Sequence, residues 1–167
     1  MKIFSIKKTN KGYALLETLF YIALFAIISI AVIDSLITMT KAYKETVIQA
    51  DLMQGGNVME RISREIRQAS DINFINTNDL TLDTKDSTGD EKTVEFSLSG
   101  SDIRFLENNI FTANLNTSNI IVTDIIFTQI DTTKGKAVKV FLTVKSNRDS
   151  QSRTEDFYDT VVLRGNY

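Results

Sequence analysis

The sequence predicts an α+β chain in which a long N-terminal helix, membrane-spanning in its first half and amphipathic in its second, lies on an antiparallel β-meander. Three observations carry this expectation. An apolar run fills residues 13–33 behind a basic N-terminus, a helical stripe continues from it to about residue 70 without a proline, and past Ser70 the hydrophobic period changes from 3.6 to 2. The expected divisions are a short basic segment at 1–12, a transmembrane helix at 13–33, its amphipathic continuation at 34–70 and a sheet domain at 71–167.

Residues 13–33 number 21, and at about 1.5 Å rise per residue such a helix just crosses a hydrocarbon core of about 30 Å. Glu17 is its only strongly polar side chain. Lys2, Lys7, Lys8 and Lys11 precede it with no acid among the first twelve residues, so the positive-inside rule keeps the N-terminus in the cytoplasm and puts the C-terminal domain outside. An ordinary secretory signal has an apolar stretch of about 7–15 residues and a small-x-small cleavage site. This run is longer, and Ser29-Ile30-Ala31-Val32-Ile33-Asp34 offers no such site. A plain signal anchor fits the length and charge but gives no reason for Glu17, whose ionised form costs about 2.5–3.5 kcal/mol near the middle of a helix in lipid. Cutting between Gly12 and Tyr13 supplies a partner: Tyr13 gains an α-amino group, and Glu17 lies four residues on, on the same helical face. The carboxylate can then meet that amine on its own chain or on a neighbour, a pairing strongly favoured in low dielectric over either charge alone. Gly12, lacking a Cβ, lets a protease approach the backbone closely.

Lys11-Gly12-Tyr13-Ala14-Leu15-Leu16-Glu17, followed by the apolar helix, resembles the class III signal of type IV pilins and type II secretion pseudopilins: glycine before the cut, an aromatic after it, glutamate fifth in the mature chain. The resemblance implies a type IV pilin-like fold, cleavage after Gly12 and N-methylation of Tyr13 by a prepilin peptidase, and retention in the cytoplasmic membrane. It also implies later packing of the helix among other pilins or pseudopilins, with Glu17 setting register by meeting a neighbouring amine. Family members usually carry Phe where Tyr13 stands, and major subunits commonly have a proline within the mature helix; this chain has no proline. That absence leans toward a minor subunit. Met59-Glu60-Arg61-Ile62-Ser63-Arg64-Glu65-Ile66-Arg67-Gln68-Ala69-Ser70 resembles the segment that ends the long helix in minor pseudopilins of the J type and related minor pilins. The expected function is therefore that of a minor subunit that primes or caps a type IV pilus, competence pilus or type II secretion pseudopilus. The alternative is a binding module at the tip, an adhesin or DNA-uptake subunit.

Composition narrows the chemistry. Losing the four leader lysines takes the net charge from −2 to −6, and an acidic domain is a poor generic binder of nucleic acid, whose phosphates need clustered Lys and Arg. The chain has no cysteine, so its stability must come from a packed core. It has no histidine either, which removes Ser-His-Asp and Cys-His catalysis and the usual zinc sites. No enzyme activity and no cofactor are expected.

Beyond Asp34, Leu36, Ile37, Tyr43, Val47 and Ile48 keep helical spacing; then Ile48, Leu52, Gly55, Met59, Ile62, Ile66 and Ala69 step by alternating fours and threes. That phase predicts that Gly55-Gly56 lies inside the helix, with a local kink or melting plausible because each glycine costs about 1 kcal/mol relative to alanine. The stripe is expected to face the sheet domain. Glu60 and Arg64 have helix-supporting spacing, and Arg64 and Arg67 suit the negative end of the dipole.

Alternation then marks Leu80 and Leu82; Val94, Phe96 and Leu98; and Ile103 and Phe105, with a turn at Ser99-Gly100-Ser101-Asp102. Residues 83–92, DTKDSTGDEK, read as a solvated acidic loop whose spacing does not match a calcium loop of the EF-hand kind. Residues 119–130 are apolar on both faces in part and read as the central strand. Residues 137–145 place Val138, Val140, Leu142 and Val144 on one face; Lys134-Gly135-Lys136 is the expected turn before them. After a polar loop at 146–155, Val161 and Leu163 continue the pattern within 157–164. The sum is a meander of five to seven strands.

Overall fold

The computed structural model describes residues 11–132 and 135–164. It is α+β: one long helix, α1 (Lys11–Gln68), precedes eight strands among the described residues. They are β1 (Asp71–Ile75), β2 (Asp79–Lys85), β3 (Glu91–Ser99), β4 (Asp102–Glu107), β5 (Ile110–Asn114), β6 (Ile120–Thr132), β7 (Gly135–Ser146) and β8 (Thr154–Val162). The chain divides into two compact units, Met1–Glu45 and Thr46–Tyr167. In the first, the described residues are helical and, from Tyr13 on, their side chains are exposed apart from a half-exposed Ser29. The second contains every buried hydrophobic side chain among the described residues, from Ile48 to Leu163.

Within the second unit the end of α1 packs on antiparallel sheets along the expected stripe. Ile48, Leu52, Met59, Ile62, Ile66 and Ala69 are buried, and so is Gly55. They meet Leu80, Leu82, Val94, Phe96, Ile103 and Phe105 from one sheet and Val122, Ile125, Val138, Val140, Leu142 and Val144 from the other in a single core. The helix runs unbroken through Gly55-Gly56. Arg61 lays its guanidinium 5.0 Å from the Phe105 ring centroid, Arg64 reaches Glu60 at 3.4 Å, and Ser63, buried off the stripe, donates to Asp159 of β8. At the start of the docked segment the buried Asp51 accepts a 2.9 Å hydrogen bond from the Ser146 hydroxyl, with Arg148 at 3.9 Å.

The sheet region differs from a single meander. Strands β1 to β5 form one antiparallel sheet in chain order, and β6 to β8 form a second. The alternation of apolar residues is the same on either side of the break, so periodicity alone gives no sign of it. The two strands without a sequence signal, β1 and β5, are the outer strands of the first sheet, and most of their side chains are exposed. Residues 119–130 do not form a central strand: β6 lies at the edge of the second sheet, and β7 is its centre. A register shift between Val122 and Asp124 moves the buried set from Val122 to Ile125 and Phe127, which is why the run is apolar on both faces. Its outer edge is not bare, since the amides of Val122 and Phe127 donate to the carbonyls of Ser101 and Thr77 in turns of the first sheet.

Loops are shorter than expected. Of the stretch 83–92, Asp83 and Lys85 end β2, Glu91 and Lys92 open β3, and only residues 86–90 turn. Gly135 and Lys136 belong to β7, while Thr133 and Lys134 lie outside the described residues. Ser146 closes β7 and Thr154 already opens β8. Between them Asp149 organises the loop: its carboxylate accepts from the amides of Gln151 and Arg153 and from Arg153 Nε at 2.8 Å.

The Arg153 guanidinium, then these amides, hold the Asp149 carboxyl down to about 2 from 3.8. Between those two values the unfolded chain binds more protons than the folded one. The stabilisation is therefore complete above about pH 4 and is lost as the pH falls through about 2. Asp149→Asn is expected to lower stability at neutral pH and to flatten the acid limb of a stability-versus-pH curve in that window. Some slope remains, because Lys136 lowers Asp71 and the Thr88 hydroxyl and amide lower Asp86. Urea midpoints of parent and variant, measured from pH 2 to 6, check this.

Candidate functional site

The sequence places Gly12, Tyr13 and Glu17 at the head of α1, and the structure puts all three in one continuous helix that begins at Lys11. Residues 1–10 of the expected leader lie outside the described residues. Tyr13 is exposed, as is Glu17, and the two are separated by one helical turn. The first amides of a helix have no intrahelical acceptor and carry partial positive charge, but that field falls off within the first turn, and Glu17 stands in the second. Lys11 and Gly12, in that first turn, belong to the part of a helix that frays most readily.

One contact was not anticipated from the sequence. The Tyr21 hydroxyl donates to Glu17 Oε1 at 3.2 Å from one turn further on. The signal was present as the spacing Tyr13, Glu17, Tyr21, which puts both aromatic side chains on the face of the carboxylate. A hydroxyl donor offsets part of the cost of removing the acid from water, and the uncapped side of the carboxylate is left for a cation.

The rest of the segment is suited to an apolar solvent. The hydroxyls of Thr18, Ser29, Thr38 and Thr40 each donate to the carbonyl four residues back, at 2.8–2.9 Å, so these polar groups are satisfied within the helix. An 18-residue window of mean hydropathy 2.4 falls in the helical stretch Tyr13–Gln68, long and apolar enough to cross a membrane. Among the described residues it is one such helix.

The acidic turn at 86–90 uses its own acceptors. Asp86 takes hydrogen bonds from the amides of Thr88 and Asp90 and from the Thr88 hydroxyl. Among the described residues no three acidic side chains converge on a position where a metal ion would sit.

The class defined by these features is an α+β protein with one membrane-competent N-terminal helix whose distal end docks on antiparallel sheets. No family model, no characterised protein and no solved structure matches the chain.

Proposed function

We propose that this chain is a minor pilin or pseudopilin, a structural subunit that primes or caps a type IV pilus or type II secretion pseudopilus after its leader is removed. The observation that carries the reading is the order glycine, aromatic, glutamate at the head of an unbroken helix that starts apolar and ends on antiparallel sheets. In this mechanism a prepilin peptidase cuts between Gly12 and Tyr13 and methylates the new Tyr13 amine. The helix stays in the cytoplasmic membrane, with the sheet domain outside, until it leaves lipid for the core of a fibre. Losing lipid contact is offset by burial among like helices, and Glu17 meets a neighbour's amine there. The working parts are packing and charge pairing, so neither catalysis nor a cofactor is involved.

The mass of the chain after co-expression with a prepilin peptidase tests the reading: it should fall by residues 1–12 and rise by one methyl group. A second measurement separates pairing from processing. Glu17→Ala should be cleaved normally and keep the melting behaviour of the sheet domain, yet enter filaments at a small fraction of the parent level. Equal incorporation of the variant would remove the charge-pairing role while leaving the cleavage assignment standing.

A further inference from the structure

The second sheet turns Val138, Val140, Leu142 and Val144 into the core and presents the alternate residues of its strands on the opposite face. Strand register sets those residues in cross-strand rows. Ile126, Phe141 and Tyr158 stand opposite one another across β6, β7 and β8. The Phe141 and Tyr158 rings pack with centroids 5.0 Å apart, yet Tyr158 is still 66 % exposed. Surfaces in contact with water alone scatter apolar side chains singly, and a continuous row of three is the pattern of a contact surface. Charge flanks this row asymmetrically. On one side Lys139 lies between Thr128 and Thr160; on the other Asp124 and Asp156 lie on either side of Thr143. Asp124 reaches this face because the bulge at Thr123 shifts the phase of β6; in the phase of the buried Val122 it would point into the core.

Lys139 and Asp124 form no ion pair among the described residues. The two charged rows cannot meet within one copy: Lys139 and Thr143 are four residues apart on β7, about 13 Å at a strand rise of about 3.3 Å per residue. A second copy, given half a turn about the line of the apolar row and laid face to face, removes that separation. Phe141 then meets its own counterpart, and Lys139 of each copy lies over Thr143 of the other, between Asp124 and Asp156. Sheets packed face to face stand about 10 Å apart, a gap that a lysine side chain spans. Two rows further out, Ile130 of each copy falls over Ile121 of the other. We propose that this face binds a second copy of the chain in an isologous dimer, in which the apolar rows exclude water and the charged rows fix the register. The surface is its own complement, which singles out a like chain from an unrelated protein. The pairing goes beyond the subunit role and depends on neither cleavage nor packing of α1 in a fibre.

Sedimentation equilibrium of the full chain in a density-matched detergent tests it. The parent should be a dimer at protein concentrations of about 100 µM. Lys139→Asp alone, and Asp124→Lys together with Asp156→Lys, each set like charges against one another, so both variants should be monomers. An equimolar mixture of the two should recover the dimer, because every charged row then meets its opposite. If the double variant does not fold, Tyr158→Glu, which puts a charge on the exposed end of the apolar row, decides in its place by the same loss of the dimer. A parent that stays monomeric leaves this face to a different protein and overturns the pairing. So do swapped variants that associate as the parent does, the result that contact through α1 alone would give, and a mixture that stays monomeric.

Discussion

Gly12→Val is expected to leave the chain at full length in the cytoplasmic membrane, with processing reduced from complete to undetectable in the presence of a prepilin peptidase. The effect is large because it acts on the scissile backbone itself. Gly12 sits in the first turn of α1, where amides lack intrahelical partners and the backbone can open to enter a protease. Valine puts two methyl groups on the Cβ next to the carbonyl to be attacked and stiffens χ1. Alanine adds a single carbon, so Gly12→Ala should be cut slowly, which separates a steric block from a failure to reach the membrane. An uncleaved chain keeps its four leader lysines and never forms the Tyr13 amine, so Glu17 has no new cation to meet. Intact mass of the membrane fraction reads the parent and both variants, and a Gly12→Val chain that loses residues 1–12 as readily as the parent would remove the processing assignment.

Much of the fold was legible because burial forces a period. Every residue of the stripe from Ile48 to Ala69 is buried on the docked face of α1, which also buries Asp51, Val58 and Ser63 outside it, and the alternation at Leu80, Leu82, Val94 and Phe96 predicted buried positions of β2 and β3. The same logic explains what was hidden. Strands β1 and β5 have little to bury, so no period marks them. The bulge at Thr123 shifts the phase of β6, making an edge strand read like one covered on both sides. Division into two sheets depends on contacts between distant turns and strands, such as Phe127 to Thr77, that leave no trace in local pattern. At the head of α1 the residues that carry the proposed processing were all visible, because short-range spacing is their geometry.

Gly55→Leu should destabilise the unit from Thr46 onward by about 3 kcal/mol, whereas Gly56→Ala, one residue on, should stabilise it by up to about 1 kcal/mol. Helix propensity treats the two glycines alike, although the apolar stripe passes through Gly55 and not Gly56. The structure separates them through Phe157 of β8. A Cβ on Gly55 would lie inside the edge of the Phe157 ring, while one on Gly56 would rest 3.6 Å from it in ordinary contact. At position 55 the gain in helix propensity is therefore set against overpacking of an aromatic ring wedged between helix and sheet, and the clash outweighs the gain. At position 56 only the propensity gain remains. Because Phe157 belongs to an edge strand and is partly buried, the conflict should be relieved by shortening it. Gly55→Leu combined with Phe157→Ala is expected to be more stable than the sum of the two single losses, by roughly 1–2 kcal/mol of coupling. Urea denaturation of residues 46–167 measures the full cycle. Equal midpoints for the Gly55→Leu variant and the parent would show that the ring moves freely and that the notch in α1 has no packing role.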